Sequence, residues 1–214
     1  MAEILLPDEY FTRIEPEQDS FLIRAVLLIL EIIAILLIVF FVLRLFIIEP
    51  YTVIGSSMFP TLVQDEEVYV NKISYRIKNP KRGDIVVFVP PVNVGKNYVK
   101  RIIGLPGERL QIKGDGQVII YNDANPQGIS LIEDYLPKSF STQGFVVERL
   151  KENEYFVMGD NREASSDSRG NINSDDPLQK THWTLPRHNI IGKVICRTRP
   201  IDKFTFLSLP EYNL

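Results

Sequence analysis

Apolar and polar positions follow two different rules along this chain. From Ala25 to Leu43 nineteen consecutive residues are apolar, Glu31 excepted, with no polar face. At about 1.5 Å per residue a helix over that run spans roughly 28 Å, close to the hydrocarbon thickness of a bilayer, and the pattern predicts a transmembrane helix. Past Pro50 the apolar residues come in short bursts bounded by Gly, Pro, Asn and Asp. That punctuation predicts strands.

The flanks of the long run refine its reading. Residues 1–20 carry Glu3, Asp8, Glu9, Glu15, Glu17 and Asp19 against Arg13, a short solvated tail. A cleavable leader would begin basic, hold a shorter apolar core and end at a small-x-small site, so this helix is expected to stay attached. Glu31 inside the span would cost about 2.5–3.5 kcal/mol at the centre and less near an end, and it can lie protonated or snorkel toward the nearer interface. Arg13 and Arg24 before the span face Arg44 after it, so charge alone sets no orientation.

Leu45 to Ile48, followed by Glu49 to Ile54, suggests extended chain leaving the bilayer. Strands are expected at 68–73, 84–89 and 98–103, the last stopped by Gly104-Leu105-Pro106-Gly107. Residues 109–113 and 117–121 flank Gly114-Asp115-Gly116 and predict a hairpin. A second hairpin is expected from 144–150 and 155–158 around Lys151-Glu152-Asn153-Glu154, and a final strand over 188–198. Residues 122–143 and 170–187 look loop-like, and no long amphipathic helix interrupts the series. The fold class is therefore mainly β behind one apolar helix: a tail at 1–20, an anchor at 21–44 and a β domain at 45–214.

Composition excludes more than it identifies. A net charge of −3 gives no basic field for nucleic acid, and Cys196, the sole cysteine, can form no disulfide within the chain. His182, His188 and Cys196 match no compact metal-ligand spacing, and neither histidine sits in a shaped motif that would build a Ser-His-Asp triad. No metal or cofactor is expected. Two residues invite chemistry instead. Ser57 opens Ser57-Met58-Phe59-Pro60-Thr61-Leu62, where Pro60 stiffens a non-helical turn able to hold a hydroxyl in one direction. Lys100 stands in Tyr98-Val99-Lys100-Arg101-Ile102-Ile103, where alternation places it on one face with Tyr98 and Ile102. Burial among such neighbours could lower a lysine to about pH 7–8, where its neutral amine can take a serine proton.

Four blocks occur in order behind the apolar run: Ser57 to Leu62; Arg82-Gly83-Asp84 to Phe88; Tyr98 to Glu108; and Gly159-Asp160-Asn161-Arg162 with Ser165, Asp167, Ser168 and Arg169. Together they resemble the bacterial type I signal (leader) peptidases, S26 serine peptidases with a Ser-Lys dyad, in their single-anchor form, over about residues 25 to 200. The resemblance implies a signal-peptidase-like β-sheet catalytic domain on the outer face of the cytoplasmic membrane. It implies Ser57 as nucleophile, Lys100 as general base, and exported preproteins, cut after a small-x-small sequence, as substrates. It assigns Ser165 to orienting the lysine and Asp160, Arg162, Asp167 and Arg169 to bracing the site, with Arg101 expected on Asp160 and Asp167 on Arg169.

Gly55 stands where many members place a serine or threonine in the oxyanion hole, so backbone N–H groups or Ser56 would serve here. The link from Gly170 to Arg187 is longer than usual, and Trp183 within it could pack on the core or enter the interface. Ile54, Met58, Leu62, Tyr98 and Val99 are expected to wall shallow pockets for a substrate lying extended along a strand edge. A self-cleaving Ser-Lys peptidase of the repressor type would carry a DNA-binding module where this chain has its apolar run. An inactive peptide-binding β module would lack Ser57 or Lys100, and both are present.

Overall fold

The computed structural model describes residues 18–137, 142, 144–170 and 181–213, the side chains at 18–20, 45 and 46 excepted. The acidic leader before residue 18 and positions 171–180 of the long link lie outside the described residues. Two compact units divide between Leu43 and Arg44.

The first unit is helix α1, Gln18–Ile47, whose end extends into the second. Its stretch Phe21–Arg44, 24 residues, is long and apolar enough to cross a membrane, and its large apolar side chains are exposed. Extended chain was expected from Leu45, but the helix continues to Ile47. An unbroken apolar run has no period-two signal to end a helix; Pro50 does, because it excludes helical geometry at the residue before it.

The second unit is built from β1 (Ile48–Thr52), β2 (Glu67–Asn71), β3 (Ile85–Phe88), β4 (Tyr98–Gly104), β5 (Arg109–Ile112), β6 (Val118–Tyr121), β7 (Ile129–Ser130), β8 (Phe145–Val147), β9 (Glu154–Met158), β10 (Leu185–Pro186), β11 (Ile190–Arg199) and β12 (Thr205–Phe206), with a short helix α2 (Ser74–Ile77). The larger sheet runs β1-β2-β11-β3-β4-β9-β10, with β12 added to β11; the smaller runs β7-β6-β5-β8. All four residues of β3 are buried, because apolar clusters cover both faces of its sheet. Ile85 and Val87 pack with Val68, Val70 and Val194, whereas Val86 and Phe88 pack with Ile102, Val157 and Leu185. A third cluster joins Ile103, Phe156 and Met158 of the larger sheet to Leu110, Ile112, Val118 and Ile120 of the smaller.

The hairpin over Gly114-Asp115-Gly116 forms as expected, with Ile112 opposite Val118. The second expected hairpin does not. β8 pairs with β5 in the smaller sheet and β9 with β4 in the larger, so the turn at 151–153 carries the chain from one sheet to the other. The final strand begins at Ile190 rather than His188, behind a 3-10 turn at Arg187–Asn189, and β12 follows it. The loop-like segments hold two short strands, β7 and β10. Trp183 packs on the core at 7% exposure, its ring 6.0 Å from that of Phe88.

Candidate active site

The nucleophile candidate is held by a turn with a buried underside. Phe59 N–H donates to the Ser56 carbonyl at 3.0 Å and Leu62 N–H to that of Met58 at 2.9 Å. Residues four apart in such a turn project to one side. Met58 and Leu62 accordingly sink into the core with Val53, at 1% and 0% exposure, and leave Ser57 half-exposed above them. From the other direction Asn161 N–H donates to the Ser57 carbonyl at 3.0 Å, and its side-chain amide donates to that of Ser56 at 3.1 Å. Gly55, entering the turn, has φ +85, a left-handed value that favours glycine whatever the chemistry around it.

β4 brings Lys100 to that hydroxyl. Its Nζ donates to Ser57 Oγ at 2.7 Å and to the Val99 carbonyl at 2.9 Å, and it lies 5.4 Å from the centre of the Tyr98 ring. Burial pulls the ammonium down from its ordinary 10.5 to about 8, against the upward pull of Asp167 and Asp160 and with help from Arg169. Burial prevails because each carboxylate is engaged elsewhere. Asp160 forms a two-pronged pair with Arg101, at 2.9 Å to Nε and 2.6 Å to an Nη, and accepts from Thr61 Oγ1 at 2.5 Å. Asp167, with no exposed surface, accepts from Arg169 through two contacts of 2.8 Å and from Gly159 N–H at 2.8 Å. Burial disfavours its charge, yet Arg169 and the Gly159 N–H hold its pKa below the usual carboxylate value.

The structure thus forms the pairs Arg101–Asp160 and Asp167–Arg169. Ser165 Oγ is buried close to Gly159 and to the Asp167 carboxylate, whose charge it helps to hold, while the hydrogen bonds of the Lys100 amine among the described residues go to Ser57 and Val99. A third buried pair, Arg162–Glu133, and the Tyr135 ring, 4.0 Å below the Arg101 guanidinium, complete the brace. Glu133 and Tyr135 lie in the segment read as loop, with no nearby pattern to mark them.

A cavity of about 580 Å³ opens beside the pair, lined by Tyr51 through Ile54, Ser57, Val68, Val87, Lys96 through Lys100 and Ser166. Of the expected pocket residues Ile54, Tyr98 and Val99 line it; Met58 and Leu62 are core residues instead. The sequence reading missed the contributions of Tyr51, Thr52, Lys96, Asn97 and Ser166, although Tyr51 and Thr52 sit in the strand before the turn and Lys96 and Asn97 just before β4.

A serine hydroxyl touching a buried, partly neutral amine at the wall of an open cavity has the equipment of a serine peptidase. The chain belongs to the family described as signal peptidase, peptidase S26, whose sequence model matches residues 25–198. It is 34% identical over 196 residues to signal peptidase IB of Staphylococcus aureus (strain MRSA252), covering 84% of this chain and 92% of that one. It is 33% identical over 171 residues to a probable signal peptidase I-1 of Synechocystis, covering 76% of each. Among solved structures, a signal peptidase I from Enterococcus faecalis V583 is 32% identical, with a TM-score of 0.41, over 54% of this chain and 97% of that one.

Proposed function

We propose that this protein removes amino-terminal signal peptides from exported preproteins, with Ser57 as nucleophile and Lys100 as general base. The observation that carries the reading is the 2.7 Å contact between Lys100 Nζ and Ser57 Oγ. Around pH 8 a large fraction of the amine is neutral, and the same contact then accepts the hydroxyl proton. Ser57 Oγ attacks the scissile carbonyl as its proton passes to Lys100. Lys100 returns that proton to the departing amine, leaving the signal peptide as an ester on Ser57. A water molecule, deprotonated by Lys100, hydrolyses the ester and restores the hydroxyl.

The Ser57 N–H makes no hydrogen bond among the described residues and is available to the developing oxyanion. Asp160, Arg101, Asp167 and Arg169 act by position, and Gly55 by conformation. Ser165 belongs with this group through its place beside Gly159. Substrate lies extended against Ile54, Tyr98 and Val99, with a small residue before the cut.

The enzyme is held in the cytoplasmic membrane by residues 21–44, with 45–214 on the extracytoplasmic side. The exposed apolar helix and the family membership support this topology. A cleavage assay on a preprotein in detergent tests the reading. Ser57→Ala and Lys100→Ala are each expected to abolish processing while retaining the wild-type circular dichroism spectrum. Full processing by Lys100→Ala would remove the base.

A further inference from the structure

We propose that Lys96 is a selectivity residue of this site, favouring preproteins that carry a carboxylate a few residues from the cut bond and disfavouring those with a basic residue there. The inference rests on the peptidase function proposed above and names a class of substrate that function prefers.

The lining of the cavity contains two cationic side chains, Lys96 and Lys100, and no carboxylate. The two lysines are not equivalent. Lys100 is buried and engaged with Ser57 and Val99, and its reactive form is neutral. Lys96 is exposed and has no ion pair or side-chain hydrogen bond among the described residues, so it is the standing charge at the rim. The acids around the site are engaged elsewhere: Glu49, beside the lining residue Tyr51, pairs with Lys72 at 3.0 Å. Asp160 and Asp167 are buried and each is neutralised by its own arginine.

Position supports a selective role over a catalytic one. Lys96 precedes Lys100 by four residues on the run leading into β4. At about 3.3 Å per residue the two backbones are up to roughly 13 Å apart. A substrate lying extended along this run advances by the same step, so Lys96 meets a side chain three to five residues from the scissile bond. Lys96 is exposed, so its attraction for that side chain is screened by solvent and salt and the effect is modest and salt-sensitive. Across a rim, charge contributes chiefly to choice among partners and to rate of encounter.

The test uses full-length enzyme in detergent and preprotein reporters that differ at one position, bearing Asp, Asn or Lys at the third, fourth or fifth residue on either side of the cut. Values of kcat/KM are compared for wild type, Lys96→Ala and Lys96→Glu. For wild type, at one or more positions the Asp reporter is expected to exceed the Lys reporter by roughly 1.5- to fivefold, the range for exposed charge pairs. Lys96→Ala flattens that ratio, Lys96→Glu inverts it, and about 0.5 M salt brings it towards one in wild type and in Lys96→Glu. The Asn reporter is the neutral reference within each enzyme, against which its Asp and Lys rates are taken. An Asp-to-Lys ratio that is unchanged by Lys96→Glu, with the Asn reporter still cut, overturns the role of Lys96 and leaves the Ser57–Lys100 reading standing. Failure of wild type to cut the Asn reporter, with Ser57→Ala indistinguishable from it, overturns both.

Discussion

Gly159 lies so close to Ser57 that a Cβ placed on it would collide with the Ser57 carbonyl oxygen, well inside 3.0 Å. The block after β9 and the turn that carries the nucleophile therefore meet backbone to backbone. The same Cβ would strike Ser165 Oγ. The site tolerates no side chain where these two segments touch.

Gly159→Ala is expected to displace the Ser57 turn and lower kcat by about a hundredfold, since small misplacements of reacting groups are costly. Overpacking of this kind also costs about 1–3 kcal/mol of stability. Steady-state kinetics and urea unfolding of the variant check both; a variant with wild-type kcat would show that the contact does not position Ser57.

The rate of processing should rise with pH and level off above about 8, because burial lowers Lys100 to that value and only the neutral amine can accept the Ser57 proton. Below it, each pH unit should cost close to tenfold in kcat/KM. Lys100→Arg should be inactive across the accessible range, since a guanidinium does not deprotonate. A flat profile from pH 6 to 9 would be incompatible with a titrating base of about pH 8.

Arg169 both pairs with Asp167 and depresses Lys100. Arg169→Gln leaves the Asp167 carboxylate facing the amine without its counter-charge, so the Lys100 pKa should rise and the rate profile should move to higher pH. Activity at pH 7.5 is expected to drop several-fold and to recover partly by pH 9, in line with the effect of one nearby opposite charge. Breaking the buried pair should also cost about 3–5 kcal/mol. Arg169→Lys, which keeps the charge, should hold the profile near its original position, a distinction that mere loss of stability would not produce.

At Gly55 there is open space but a left-handed backbone. Gly55→Ala should cost about 1–2 kcal/mol through strain alone, and Gly55→Asn less, because asparagine visits that region more readily. Thermal unfolding of the two variants provides the comparison.

Much of this molecule was legible before any coordinates. The apolar run, the alternating bursts and the hairpin over Gly114-Asp115-Gly116 are local signals, and each corresponds to an element of the structure. The Ser57 and Lys100 blocks could be singled out because a proline-stiffened turn and a lysine in an apolar strand are each visible within a few residues. What was misread depends on distant partners. Nothing within residues 144–158 says that β8 joins β5 while β9 joins β4, since each partner strand lies outside that stretch. Met58 and Leu62 look like pocket walls because they lie close to the serine in sequence; the turn, closed by hydrogen bonds to the Ser56 and Met58 carbonyls, carries both into the core. Glu133 and Tyr135 reach Arg162 and Arg101 across long stretches of chain, a relationship with no spacing rule to reveal it.

β4 places two cations in consecutive positions, Lys100 opposite Val86 and Arg101 opposite Ile85. Neighbouring residues of a strand point to opposite sides, so one segment supplies the amine for Ser57 and, one step later, the guanidinium for Asp160. Adding or removing a single residue between Tyr98 and Arg101 would trade these places. A permanently charged group would then confront the hydroxyl, and an amine would meet the buried acid without a matching fork. Such an indel would leave hydrophobic content nearly unaltered yet strip the protein of its proton acceptor, making this short stretch as sensitive to its length as to the identity of Lys100.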